Sequence, residues 1–470
     1  MADTLTGHGR LQRNALGLPQ IMASTLANIA PAVGFYFGFG VIVGGAGVAA
    51  PLTIIVALVA ILFLCNTLAE FSKYRPSTGS FVTFIGMAFG PAAGAAASLF
   101  TVAGYIVASA AIVVMSGGWT HDMLQNYLGL NVPWQLLCVV ATVACGVLVA
   151  RGIGFSTRVA AVFFYFELAL LLLSSVVMLV VNRQYISWAP FMPSNLSGGL
   201  AGVGLGFPLA IYLFIGWENS ATLAEETENP RRNIPLAMYF GTIVIGLVYI
   251  FIAYATEIAF HNDAKAISDS TIPFIDALKT SYAGLLFIAY FAGLTSIFSC
   301  LIGLTNSQAR ILFSAGREGL LPGFFSKIHP RYQTPHVAMW TFIVLALAIV
   351  LVFGWNLDPV ATFGDTGTLG AIPIVIVYLL TNLALPVYIL RYHRPEFNAL
   401  KHLVIPAVGT TLVLFPLWGL IQPGQPAPFN LFPAITGVFL VICIVYGVIL
   451  AARSSNLANR IGSYVADDAR

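Results

Sequence analysis

The chain is punctuated by runs of about 20 or more apolar residues that carry almost no charge. A run of that length matches an α-helix crossing ~30 Å of hydrocarbon. Lipid offers no partner to backbone N–H and C=O groups, so each run must form a helix that satisfies its own amides. The runs predict twelve spans, at 17–44, 48–71, 91–117, 134–151, 157–182, 201–228, 235–258, 284–314, 337–354, 367–390, 402–421 and 432–452. Composition agrees, with 59% hydrophobic and 8% charged residues, against roughly 45–50% and 25% in soluble domains. The expected fold class is an all-α polytopic membrane protein, with the lipid bilayer as its partner.

An even number of spans places both termini on one side. With the N-terminus cytoplasmic, 18 of the 21 Lys and Arg residues fall inside, and only Arg183, Lys265 and Lys279 fall outside. That bias is the one expected of inner loops, so cytoplasmic termini and a plasma membrane, the bacterial inner membrane, are expected. The run after Arg13 is too long for a cleaved signal peptide and lacks a clear cleavage site. The net charge of +3 comes without a strong basic run, so nucleic acid is not an expected partner. Cys65, Cys138, Cys145, Cys300 and Cys443 lie in apolar runs and are expected as buried free thiols. All seven histidines fall in loops or at span ends, so no metal site is expected, and no phosphate-cradling loop suggests a nucleotide.

Two spans are interrupted at their centres. The first reads Leu26-Ala-Asn-Ile-Ala-Pro-Ala-Val-Gly34, where Asn28 is polar, Pro31 removes a backbone donor and Gly34 permits unusual dihedrals. The sixth lies within Gly206–Pro235 and meets Gly216, Glu218, Asn219, Ser220 and Thr222 at mid-depth. A charged residue at a helix centre costs roughly 2.5–3.5 kcal/mol on insertion scales, and non-helical backbone there must be buried in protein or line a cavity. Five spans separate the breaks, so equivalent helices of two repeats run in opposite directions, the pattern of inverted-repeat transporters. Each break frees amides at one half-helix, suited to a carboxylate, and carbonyls at the other, suited to an ammonium or cation. The alternative is that Pro31 and Gly216 are mere kinks or packing points.

Four motifs then carry a resemblance. They are Ala69-Glu-Phe-Ser-Lys-Tyr-Arg-Pro-Ser-Thr-Gly-Ser-Phe81; Arg151-Gly-Ile-Gly-Phe-Ser-Thr-Arg-Val159; Phe214-Ile-Gly-Trp-Glu218 followed by Glu225-Glu-Thr-Glu-Asn-Pro-Arg-Arg-Asn-Ile-Pro235; and Asn306-Ser-Gln-Ala-Arg310 through Ala315-Gly-Arg-Glu-Gly-Leu-Leu-Pro322 to His329-Pro-Arg and Thr334-Pro335. In this order they resemble the amino acid–polyamine–organocation superfamily of transporters, over nearly the whole chain. The resemblance implies a five-plus-five inverted repeat with broken helices 1 and 6 and two further C-terminal helices. The domains expected are a tail at 1–16, a first repeat at 17–182, an outer loop at 183–200, a second repeat at 201–390, the last two helices at 391–453 and a tail at 454–470.

The resemblance also implies site residues. A substrate carboxylate would meet the amides of Ala32, Val33 and Gly34, and an amino group the carbonyls near Ala30, Tyr212 and Ile215. The family's first break usually has two glycines where Ala30–Phe35 has one. Related transporters often carry a Lys eleven residues after the turn serine, here Ser156, where this chain has Glu167. Eleven residues is roughly 17 Å into the membrane. A carboxyl at that depth is expected to be protonated or paired. Glu167 is read as the proton-coupling group, as the counter-charge of a cationic substrate or Na⁺, or as a neutral helix–helix hydrogen bond.

Other candidates follow from position. Glu218 would relay protons or brace the break. Gly216 marks the break, and Phe214 and Trp217 would close over substrate or merely pack. Tyr105 and Ser109 share one helix face. Ser296 and Ser299 would ligate a cation or bond their own helix. Glu225, Glu226 and Glu228 are expected as a solvated charged end facing Arg231, Arg232 and the other inner-loop basic residues, with a gate ion pair as the alternative. The expectation is a secondary active transporter of small amino acids or amines with no cofactor, driven by the proton gradient, with an exchanger or a Na⁺-coupled carrier of a cationic amine as the alternative. An enzyme would need a catalytic constellation and a channel a ring of pore-lining groups; the sequence offers neither.

Overall fold

The computed structural model describes residues 11–197, 199, 206–207, 209–454 and 456–466. The start of the expected sixth span at 201, the first ten residues of the N-terminal tail and the last four of the C-terminal tail lie outside them. Among the described residues the molecule is helical throughout, without strands; Leu16 and Thr227 form one isolated backbone bridge.

The chain begins with α1 (Leu18–Ile29) and α2 (Pro31–Ala46), which together make the first expected span. Then come α3 (Ala50–Tyr74), α4 (Ser80–Phe89), α5 (Pro91–Leu128), α6 (Trp134–Ala150) and α7 (Ile153–Val181). The interrupted stretch leads to the single turn α8 (Asn219–Thr222) and then α9 (Pro230–Ala259). The rest comprises α10 (Ala264–Asp269), α11 (Pro273–Tyr282), α12 (Leu286–Glu318), α13 (His336–Phe353), α14 (Pro359–Tyr392), α15 (Ile405–Ile421), α16 (Phe432–Arg453) and α17 (Leu457–Arg460). Nine helical segments among the described residues are long and apolar enough to cross a membrane, the first being Leu18–Tyr74, which holds two of the expected spans. Another expected span, α6, is apolar but shorter, with 17 residues.

Several boundaries differ from the sequence reading for local reasons. The third expected span ended at 117, but α5 runs on to Leu128 because polarity alone does not stop a helix; it ends at Gly129, in the left-handed conformation. The stretch from His261 to Ser281 was expected as a loop. It holds α10, whose first amides at Lys265 and Ala266 bond the Asp263 carboxylate at 3.1 Å, and α11, started by Pro273. Residues 359–366, expected as outer loop, form the first turns of α14, capped by Asp358 through the amides of Val360 and Ala361. The expected C-terminal tail contains α17 and is packed onto the bundle.

Helix α5 sits at the centre, against α14, α16 and α6, while α9 packs on α3 and α12 on α7. Helix α1 is held between α7, α9 and α12. The outer helices turn large apolar side chains outward, among them Val162 and Tyr165 on α7, Val352 and Phe353 on α13, Trp418 on α15, and Val438 and Val441 on α16. Side chains of this kind on several outer helices suit lipid, not water. All five cysteines are free and buried, as expected.

Candidate functional site

The two breaks lie against each other. In the first, Ala30 adopts a left-handed backbone that ends α1, and Pro31 opens α2 at the one position where its missing N–H costs nothing. The expected unusual dihedral thus falls on Ala30, whereas Gly34 is helical and its N–H bonds the Ala30 carbonyl at 3.1 Å. In the second break, residues 211–219 turn by short i→i−3 bonds: Phe214 to Ile211, Ile215 to Tyr212, Trp217 to Phe214 and Asn219 to Gly216. Gly216 has φ +111°. Its carbonyl accepts from Asn28 Nδ2 at 3.3 Å. A Cβ on Gly216 would lie 2.9 Å from that nitrogen and 3.1 Å from the Asn28 carbonyl carbon. A Cβ on Gly303 of α12 would lie 2.9 Å from the Asn28 Cα on the opposite flank. Asn28 is therefore wedged between two glycines, and it ties the first break to the second.

Each break has an amide met by a buried glutamate. Glu167, fully buried on α7, accepts from the Ala32 N–H at 2.7 Å and from the Ser296 hydroxyl at 2.8 Å through Oε1. Ser296 in turn accepts from the Val33 N–H at 3.2 Å. The three amides expected to face a substrate carboxylate are thus engaged by Glu167, Ser296 and the Ala30 carbonyl. Glu218, also fully buried, accepts from the Gly216 N–H at 3.0 Å and from the Tyr105 hydroxyl. The physical cause is the same in both places: a broken helix exposes donors that cannot be left bare in an apolar interior. Glu167 Oε2 and Asn28 Oδ1 are buried without a hydrogen-bond partner.

Beside the breaks lies a small cavity of about 50 Å³, lined among others by Asn28, Ala30, Val33, Gly34, Tyr105 and Tyr212. The rest of its wall is apolar and comes from α1, α5, α12 and α14, with Cys300, Leu304, Phe363 and Ile374 added to what the sequence suggested. Among the described residues no Lys, Arg or His lines it. Tyr212, Ile215 and Phe363 also line a larger cavity of about 680 Å³, which reaches exposed residues such as Val41 and Val360. Three side chains therefore separate the small cavity from a wide vestibule.

On the other side of the breaks the protein is closed in layers. Thr25 and Ser220 hydroxyls lie 2.6 Å apart, Asn219 donates to Ser24 at 3.1 Å and Thr222 to Ser307 at 3.1 Å. Below them Arg310 makes a two-pronged pair with Glu226, both residues 1% exposed, and Arg317 makes another with Glu225. The expectation of a solvated charged end is corrected here for Glu225 and Glu226, which make the alternative, ion pairs with basic residues of α12; Glu228 stays exposed. Sequence distance hid this, since 84 residues separate Arg310 from Glu226. The N-terminal segment seals the layer, with the amides of Ala15 and Leu16 on the Glu226 carbonyl.

The remaining candidates sort as follows. Ser299 donates to the Ser296 carbonyl of its own helix at 2.9 Å and more weakly, at 3.4 Å, to the Ala27 carbonyl. Ser109 is buried with a free hydroxyl and is not part of the cavity wall. Phe214 packs edge-on against Tyr249 and Trp217 against Tyr378, so both are interior packing in this conformation. Cys300, which sequence reasoning passed over, donates from Sγ to the Asn28 carbonyl at 3.2 Å; its signal is the one-turn spacing from Ser296. Phe363 had no local signal, because it stands in a stretch that reads as a loop. Among the described residues no three His, Cys, Asp or Glu side chains gather as a metal site would require.

The family model described as amino acid permease matches residues 16–459. The branched-chain amino acid permease BcaP of Bacillus subtilis is 26% identical over 406 residues, covering 82% of this chain and 83% of the relative. The methylthioribose transporter of the same organism is 25% identical over 444 residues, 88% of each chain. Human cationic amino acid transporter 4 is 26% identical over 358 residues, covering 70% of this chain and 53% of the relative. All three are carriers by name rather than enzymes, and the family match at residues 16–459 takes in both breaks and the ion-paired layer. The chain belongs to the amino acid permease family, within the amino acid–polyamine–organocation superfamily of multi-pass membrane transporters.

Proposed function

We propose that the protein is a secondary active transporter that carries small amino acids or amines across the plasma membrane by alternating access. The observation that carries this reading is the contact between the two interrupted spans at Asn28 and Gly216, set between a wide vestibule and a layered closure. A carrier needs such a site, reachable from one side at a time. The finer architecture belongs to the same proposal. Twelve spans, in a five-plus-five inverted repeat with two added helices, put both termini and the Arg310–Glu226 layer in the cytoplasm, and the vestibule faces outward. This is supported by the lysine and arginine bias and by the position of each break within its set of spans. Relatives named for branched-chain amino acids, cationic amino acids and methylthioribose support a small organic solute and leave its class to chemistry.

The proposed drive is the proton gradient, with Glu167 and Glu218 as the groups that hold the coupling proton between helices. Na⁺ coupling at Ser296 and Ser299, or solute exchange, is the alternative. Purified protein in proteoliposomes tests the function. Saturable uptake that is accelerated by unlabelled solute inside is the carrier's signature; flux that rises linearly with concentration and shows no counterflow contradicts it. Imposed pH and Na⁺ gradients then assign the coupling ion.

A further inference from the structure

The anion-binding ends of both broken helices are already filled by carboxylates of the chain itself. Glu167 occupies the Ala32 amide and reaches Val33 through Ser296, and Glu218 occupies the Gly216 amide. A helix N-terminus is the natural receptor for a substrate carboxylate, and here the carboxylate is built in. Among the described residues no Lys, Arg or His lines the neighbouring cavity to receive a second one. Within the closed side the buried cations are Arg310 and Arg317, each taken by its own glutamate.

The groups left over point the other way. Asn28 Oδ1 belongs to a residue that lines the cavity and is 2% exposed, and it has no donor. Glu167 Oε2, fully buried behind the same break, has none either. The Asn28 oxygen, on the cavity wall, is the complement of a ligand N–H, because an unmet acceptor in such a place carries its full desolvation penalty. At the carbonyl end of α1 the Asn28 carbonyl is met by the weak thiol donor of Cys300 at 3.2 Å and the Ala27 carbonyl by Ser299 at 3.4 Å, so these oxygens keep a lone pair each for a further donor. Ile29, Ile112, Ile215, Leu304, Phe363 and Ile374 make the apolar part of the wall, and Tyr105 and Tyr212 add ring faces with hydroxyls, that of Tyr105 being spent on Glu218.

We infer that Glu167 stands in for the carboxylate of an amino acid, so that the ligand of this site is an apolar primary amine without a free carboxylate: its ammonium meets Asn28 and the carbonyl end of α1, and its hydrocarbon tail lies toward Phe363 and the vestibule. This rests on the transporter reading and narrows it. An α-amino acid would have to expel Glu167 from the Ala32 amide and leave a second carboxylate beside it without a counter-charge.

The test pairs each amino acid with its decarboxylated counterpart, leucine with 3-methylbutylamine and phenylalanine with 2-phenylethylamine, in binding and in counterflow with reconstituted wild-type protein. The amines are expected to bind at least ~10-fold tighter than their amino acids and to drive counterflow. Glu167→Ala, which empties the amide, is expected to gain leucine binding and to lose preference for the amine. Glu167→Gln keeps an oxygen on the Ala32 amide and is expected still to reject leucine, so it supplies the answer if the alanine variant does not fold. Leucine binding wild-type protein as well as 3-methylbutylamine does, with counterflow, overturns this inference and leaves the transporter reading standing. Absence of counterflow with both classes overturns the two together.

Discussion

At position 216 a side chain has nowhere to go. The backbone is left-handed and the nearest heavy atom to a new Cβ would be Asn28 Nδ2 at 2.9 Å. Gly216→Ala is therefore expected to cost about 1–3 kcal/mol and to push the two breaks apart. Thermal unfolding in detergent would show the loss of stability, and uptake would fall more than surface expression does; a variant with wild-type melting and uptake would show that the breaks are not coupled through this contact. Glu167→Gln is expected to leave the helices packed, since Gln can still accept from Ala32, while flattening the dependence of uptake on the imposed pH gradient. Uptake that keeps its wild-type response to pH and to Na⁺ removes Glu167 from coupling. What could be read from the sequence at this scale was which residues cannot sit quietly in lipid: Pro31, Gly216, Glu167 and Glu218 all stand out against apolar neighbours. What could not be read was their partners. Glu167 meets Ala32 across 135 residues of chain and Ser296 across 129, and no local pattern announces such a pairing.

Nine helical segments among the described residues have the apolar length that a span requires, and their ends differ from those read in the sequence. Helices α10 and the start of α14 were hidden in polar stretches because Asp263 and Asp358 cap them, and capping is worth only about 1 kcal/mol, too little to stand out in a composition. The same blindness concealed the layer between α8 and α12. Arg310 and Glu226 are each 1% exposed, so removing one partner leaves a buried charge. Arg310→Ala is expected to destabilise by about 3–5 kcal/mol, with Arg310→Ala/Glu226→Ala recovering part of it; a double mutant no better than the single would deny the pairing. The C-terminal segment adds a further clamp. Gly462 donates to Glu318 at 3.1 Å, Ala466 to the Pro76 carbonyl at 3.0 Å, and the Arg317 guanidinium lies 4.0 Å from the Tyr464 ring centre. Truncation after Arg453 is expected to loosen Arg317 and to raise the reactivity of Thr222→Cys toward a thiol reagent several-fold. Unchanged reactivity would show the tail to be idle.

In the molecule as a whole, two interrupted spans grip each other between an open vestibule and a sealed layer. The all-helical class was legible because continuous apolar runs of about 20 residues satisfy their own amides in lipid as helices, whereas barrel strands are shorter and alternate in polarity. Which side is open was not, since it depends on side chains such as Phe363, Tyr212 and Ile215 that meet only in the fold. The most direct test uses two introduced cysteines against the background of five buried native ones. Val360→Cys reports on the vestibule and Thr222→Cys on the sealed side. Without solute, Val360→Cys should react quickly with a hydrophilic thiol reagent and Thr222→Cys slowly. A transported solute should move the two rates in opposite directions. Rates that rise together, or a solute that is taken up while neither rate changes, would contradict alternating access around this site.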